Sequence, residues 1–302
     1  MGTVIPVASG KGGVGKTVVA ANLGLALSAL GKTVVLVDLD LGGANLHTVL
    51  GVRNRHAGLG SLIWRTETKL DTLVVATGYP RLYLIPGDSL LPGTANPDYS
   101  IKRRIMRDLG TLPADFVILD LGAGSSYTVV DFWLMAPDGF LVVVPEIPSI
   151  LNAYSFLKTA AFRLFLRSFP RGDEARAQAL RHAAGSREGK AQRLLDFAVD
   201  LAGQAGERGA QALEALRSLK PRVIVNLAEG RAGEPELAGR LGGIAKAHLG
   251  IDPEYVATLP RDPAVSSSIA RPEPVLAMSP QAPFSLALAG LARQLAGGSG
   301  QK

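Results

Sequence analysis

One stretch of nine residues restricts this chain more than anything else in it: Ser9-Gly10-Lys11-Gly12-Gly13-Val14-Gly15-Lys16-Thr17. It satisfies the spacing G-x-x-x-x-G-K-[ST], and it stands between an apolar run, Thr3 to Ala8, and a long helical pattern, Thr17 to Leu30. A strand that passes into a helix through glycines turns tightly enough for successive N–H groups to point at one anion. The helix start adds its own unbonded N–H groups and positive dipole end. Lys16 is then placed to reach the β- and γ-phosphates of a nucleotide, and Thr17 to set its hydroxyl on Mg²⁺. The alternative reading of the same residues is a glycine-rich turn with no ligand. Lys11 is a surplus cation with two options. It lies in solvent, or it neutralises phosphate charge on a nucleotide held by a facing subunit, as an arginine finger does.

Two more apolar runs end in carboxylates. Residues 33–38, Thr-Val-Val-Leu-Val-Asp, read as a strand buried on both faces of a parallel sheet, and Asp38 and Asp40 fall at its carboxyl end. Open α/β sheets bind ligands at that end. Phe116-Val117-Ile118-Leu119-Asp120 repeats the pattern and is followed by Leu121-Gly122-Ala123-Gly124, an arrangement in which Asp120 holds Mg²⁺ through water. Residues 139–146 form a further strand with Glu146 at its end, and Ser149 opens the next helix. Asn226 ends the run from Pro221, where an amide offers both a donor and an acceptor to a purine edge; the alternative is a helix cap. Tyr255 to Leu259 is the last strand, followed by Pro260 in a loop.

Strands alternating with helices predict a mostly parallel, twisted sheet covered by helices on both faces. We read residues 1–302 as one domain. Residues 170–220 form a helical insertion of two or three segments, and 297–302 a frayed tail. Ser100 to Leu109 is a helix carrying the densest basic cluster, Lys102, Arg103, Arg104 and Arg107, read as a solvated face with nucleic acid as the alternative. Phe162, Phe165, Leu166 and Phe169 recur at helical spacing with Arg163, Arg167 and Arg171 on another face, which reads as a core helix with a solvated arginine stripe, a membrane-surface helix being the alternative.

The 302 residues contain no cysteine, which excludes disulfides, thiolate metal sites and iron–sulfur clusters. No apolar run reaches the roughly 18 residues of a membrane span, and the first strand begins almost at Met1, leaving no room for a signal peptide. The expected location is the cytoplasm, with a peripheral position at the inner membrane left open. A formal charge of +6 permits contact with anionic lipid or non-specific DNA without establishing it.

Lys11-Gly12-Gly13-Val14-Gly15-Lys16-Thr17 resembles the deviant Walker A motif of the MinD/ParA superfamily of ATPases. Asp38 to Leu46 resembles the switch I segment of MinD-like proteins, and Val144-Pro145-Glu146 with Asn152-Ala153-Tyr154 the branch that includes the flagellar number regulators FlhG/FleN. The resemblance implies a P-loop NTPase fold of the SIMIBI type and a slow, partner-stimulated ATPase using ATP and Mg²⁺. It implies an ATP-dependent homodimer in which Lys11 crosses to the partner's nucleotide. Gly10 to Val18, Glu146, Asn226 and Pro260 would contact nucleotide. Thr17, Asp38 and Asp120 would serve Mg²⁺, and Lys11, Lys16 and Asp40 catalysis, with Asp40 positioning the hydrolytic water. Such proteins position or regulate a large assembly with a protein activator or cargo. Two other classes remain: an ATP-dependent metabolic synthetase on the same scaffold, and a non-hydrolysing ATP-bound regulator of a transcription factor.

Overall fold

The computed structural model describes residues 2–53, 57–64, 66, 69–87, 97–185 and 193–298. Eight strands build one sheet: β1 Thr3–Ser9, β2 Val34–Leu39, β3 Val75–Ala76, β4 Leu82–Ile85, β5 Phe116–Ala123, β6 Phe140–Val143, β7 Arg222–Ala228 and β8 Glu254–Pro260. Their order is β3-β4-β2-β5-β1-β6-β7-β8, and every pair is parallel except β3 with β4. The expected α/β architecture is present. β1 lies between β5 and β6, so chains leave its two flanks in opposite directions and open a crevice above its carboxyl end.

Thirteen α-helices are described: α1 Lys16–Ala29, α2 Leu46–Val49, α3 Leu59–Ile63, α4 Tyr99–Leu109, α5 Tyr127–Trp133, α6 Ile147–Arg167, α7 Glu174–Gly185, α8 Leu194–Gln204, α9 Gly206–Arg217, α10 Glu234–Leu249, α11 Pro263–Ala270, α12 Val275–Met278 and α13 Pro283–Gly298. Two apolar clusters cover the two faces of the sheet. One gathers Val37, Leu119, Phe156 and Phe165 with the helices on the α6 side. The other gathers Val7, Leu23, Ile118, Phe284 and Leu288, which seats α1 and α13. Strands buried on both faces need continuous apolar runs, which is why the β2, β5 and β6 segments were legible. No helix among the described residues is long and apolar enough to cross a membrane.

Several expectations need correction. The run Leu73 to Ala76 reads as a short strand from the sequence, but Leu73 is the end of a 3-10 turn, Asp71–Leu73, so β3 keeps only two residues. The strand expected at 139–146 stops at Val143, and α6 begins at Ile147 because Pro148 sits in its first turn, where its missing N–H costs nothing. Pro260 is the last residue of β8 rather than part of a loop. Gly297 and Gly298 complete α13 instead of fraying; residues 299–302 lie outside the described residues. Among the described residues from 170 to 220 there are three helices, α7, α8 and α9.

The arginine stripe and the basic cluster are also not simply solvated. Lys102 is buried on α4 and pairs with Asp131 of α5. Arg163 Nε lies 2.7 Å from Asp131 Oδ1 and its Nη2 2.9 Å from Oδ2, and Arg167 Nη2 lies 2.6 Å from Oδ1. Three cations from two helices thus converge on one buried carboxylate, and they hold its pKa at about 2 against the cost of burial.

Candidate nucleotide site

The nine-residue loop joins β1 to α1 at the crevice. Gly15, the N-cap of α1, has φ 83° and carries no side chain to bond the first-turn N–H groups, which therefore stay available to a ligand. A Cβ on Gly15 would stand 2.4 Å from Asn226 Nδ2, and one on Gly10 only 2.3 Å from the Asn152 carbonyl carbon. Those contacts explain why the loop is glycine at both positions. Ser9 Oγ donates to the Lys11 carbonyl at 2.9 Å, and Gly124 N–H donates to the Ser9 carbonyl at 3.0 Å, tying the loop to the end of β5. Val14 and Val18 bury their side chains in the α1-side core, so only their backbones face the crevice.

Asp38 and Asp120 are opposite residues on β2 and β5, and both are buried. Lys16 Nζ donates to Asp120 Oδ1 at 2.6 Å. Asp120 Oδ2 has no partner. Burial raises the Asp120 pKa, against the Lys16 charge and its hydrogen bond, with the Thr17 hydroxyl also bonding to it. Asp38 accepts from Leu46 N–H at 3.0 Å and Asp40 N–H at 3.2 Å. Burial first, and the Asp120 charge second, push its pKa up to about 7. Two buried carboxylates share one lysine, so the pair either holds a proton near neutral pH or is completed by a further cation. The donor set of two carboxylates and a threonine hydroxyl is all oxygen, as Mg²⁺ requires. Asp40 is partly exposed above them; its Oδ1 lies 3.4 Å from where a Cβ on Gly122 would stand, which puts the carboxylate against the β5 end.

On the other side of the loop, Asn226 at the end of β7 is 3% exposed. Its Nδ2 donates to the Val14 carbonyl at 2.8 Å, while Oδ1 has no partner. The next residue, Leu227, takes φ 56°, a left-handed conformation that costs a branched residue roughly 1–3 kcal/mol and coincides with a register shift between β7 and β8. Pro260 lies opposite Ala228, two residues from Asn226. The structure therefore brings Gly10 to Val18, Asp38, Asp40, Asp120, Asn226 and Pro260 to one end of the sheet.

Lys11 does not lie free. Its Nζ is 2.7 Å from Glu146 Oε2 of the same chain, and Glu146 is the N-cap of α6. The sequence reading named Lys11, Glu146 and Asn152 but neither this pair nor the approach of the Asn152 backbone to Gly10, because both are contacts across about 140 residues with no local signature. Asp131 did carry a signal: it is the lone acid in the apolar helix Tyr-Thr-Val-Val-Asp-Phe-Trp.

Residues 5–275 match the family model described as the CobQ/CobB/MinD/ParA nucleotide binding domain. The antiactivator FleN of Pseudomonas aeruginosa is 34% identical over 163 residues, covering 51% of this chain and 55% of the relative. The septum site-determining protein MinD of Thermotoga maritima is 36% identical over 155 residues, covering 51% and 56%. The chain thus matches about half the length of these curated relatives. The structure of MinD from Pyrococcus horikoshii, solved with Mg-ADP, superposes over the whole of both chains with a TM-score of 0.65 at 23% identity, which shows a shared fold. A loop with unbonded N–H groups, an oxygen donor set beside it and a family model matched over most of the sequence converge: the chain belongs to the CobQ/CobB/MinD/ParA nucleotide binding domain family.

Proposed function

We propose that this protein is a slow ATPase whose ATP-bound form pairs with a second copy and thereby positions or regulates a large assembly, with turnover raised by a partner protein. Two buried oxygens without partners, Asp120 Oδ2 and Asn226 Oδ1, carry the reading. They flank the phosphate loop, one on the side of the acidic pair and one beside Pro260, and an unbonded buried acceptor is costly unless a ligand completes it. When bound, ATP with Mg²⁺ supplies the phosphoanhydride that hydrolysis cleaves. Lys16 and the loop N–H groups hold phosphate charge. Thr17, Asp38 and Asp120 are the residues that would hold the metal, directly or through its waters. Asp40 orients the attacking water, and Asn226 with Pro260 receives the base. Lys11 leaves Glu146 and lends its charge to the nucleotide of the facing copy. The names of the relatives, an antiactivator and septum site-determining proteins, support a regulatory role over a synthetic one.

Light scattering after size exclusion, with ATP, ADP and no nucleotide, tests this on wild type, Lys11→Ala and Asp40→Ala. Doubling of the mass with ATP is expected for wild type. Asp40→Ala should stay doubled while hydrolysis falls at least about 100-fold, the scale of losing one group that acts in the transition state. Lys11→Ala should remain a monomer. A wild-type mass indifferent to ATP, with normal ATP binding, would favour the synthetase reading.

A further inference from the structure

The Asp131 cluster joins α4, α5 and α6, and it organises an exposed surface. Tyr99 and Tyr127, the first residues of α4 and α5, are 62% and 55% exposed there. Each ring has a cation against it. Arg163 lies 4.8 Å from the Tyr127 centroid, and Lys102 and Arg103 lie 5.8 and 5.9 Å from that of Tyr99. Lys102 and Arg163 are themselves fixed by the same carboxylate, Asp131. Arg163, bonded to Asp131, lies against Tyr127, while Lys102, paired with the same carboxylate, lies against Tyr99. The result is two exposed aromatic rings backed by cations and tied to one anchor.

The charge on this face is unbalanced. Lys102, Arg103, Arg104, Arg107, Arg163 and Arg167 meet the acids Asp98, Asp108 and Asp131, which leaves three positive charges in excess. Tyr99, Arg103 and Arg107 recur every four residues along exposed positions of α4 and form a row. Three uncompensated cations are too few to hold a duplex through its backbone, which takes about six to ten phosphate contacts. Rings whose second face is open add what charge lacks, because base stacking on an aromatic side chain is strong and tolerant of sequence.

We propose that the α4–α5–α6 face binds a short single-stranded nucleic acid, with bases stacked on Tyr99 and Tyr127 and phosphates along Arg103, Arg107 and the spare donors of Arg167. The surface needs no nucleotide in the loop, so this assignment stands apart from the ATPase reading. Asp131 is a positioning residue here: it holds the cations that back the rings.

Fluorescence anisotropy on the full chain tests it, using fluorescein-labelled dT12 and rU12, a 12-base-pair duplex and a polyglutamate competitor. The single strands should bind at least tenfold more tightly than the duplex at 0.1 M salt. Their log affinity should fall with log salt at a slope of about −2, the value for three phosphate contacts on a single strand. Tyr99→Ala and Tyr127→Ala should each weaken binding roughly 5- to 150-fold. Tyr127→Phe should retain it, and Arg103→Ala should lower the slope by about 0.7, with thermal melts confirming that each variant is folded. The proposal is overturned if the duplex binds as well as the single strands and the tyrosine variants bind like wild type. It is equally overturned if polyglutamate displaces the oligonucleotides with no dependence on the rings, or if nothing binds at about 1 mM protein, the dissociation constant that two stacked bases at about 2 kcal/mol each imply.

Discussion

Two buried aspartates on this molecule have opposite surroundings. Asp131 has both oxygens bonded, by Lys102, Arg163 and Arg167, and its pKa is held down at about 2. Asp120 has one lysine, one unbonded oxygen and a like-charged neighbour across the strand in Asp38, and its pKa is raised. A folding chain gains from the first arrangement and loses from the second. An expensive, half-satisfied carboxylate persists where something absent from the polypeptide completes it, whereas a satisfied one serves the fold. The comparison separates the residues that hold this protein together from those that act.

The largest effect should come from emptying the satisfied node. Asp131→Ala leaves a buried lysine and two arginines without their anion and should cost about 3–5 kcal/mol in urea unfolding. Asp120→Asn retains a carbonyl for Lys16 and should cost less than half as much, while hydrolysis falls by two orders of magnitude or more. If Asp120→Asn is the more destabilising of the two, the contrast between a structural and a functional carboxylate fails.

Acid should expose the same contrast at a smaller scale. The Asp131 pKa is depressed from 3.8 to about 2 in the folded state, so its contribution is complete above the unfolded value. It is lost as pH falls through 4 toward 2, and amounts to roughly 2 kcal/mol. Urea midpoints followed from pH 5 to 2 should drop less steeply in Asp131→Asn than in wild type. Parallel curves would mean that Asp131 is not held charged by its three partners.

The smallest stability change belongs to the loop. A Cβ on Gly12 meets no atom within 4 Å. Gly12→Ala should therefore shift stability by less than about 1 kcal/mol, in the favourable direction if anything. The space it fills faces the crevice, so the affinity for a fluorescent ATP analogue should fall by an order of magnitude. Unchanged affinity would show that the nucleotide phosphates do not approach Gly12.

Much of this was readable before any coordinates. The phosphate loop, the two strands ending in Asp38 and Asp120, and the alternation that dictates a parallel sheet are local patterns, and each stayed where the pattern put it. Boundaries were less legible: β6 ended three residues early, because an apolar run does not reveal where a proline begins the next helix. In the basic cluster on α4, Arg103, Arg104 and Arg107 are solvated as read, and only Lys102 is not. Spacing shows which face of a helix a lysine occupies, but not that an aspartate 29 residues later will be buried against it.

The amino-acid order by itself pointed to the kind of chemistry: a loop with four glycines, two lysines and two hydroxyls, set between a strand and a helix, suits an anion, because its backbone donors can converge on one. Tertiary structure alone decided which charges are satisfied. It parked Lys11 on Glu146, left Asp120 and Asn226 each with an unbonded oxygen, and gathered three cations around Asp131. The reason is range. Hydrogen bonds and ion pairs act over a few ångströms, and only the packing of distant elements brings such groups that close.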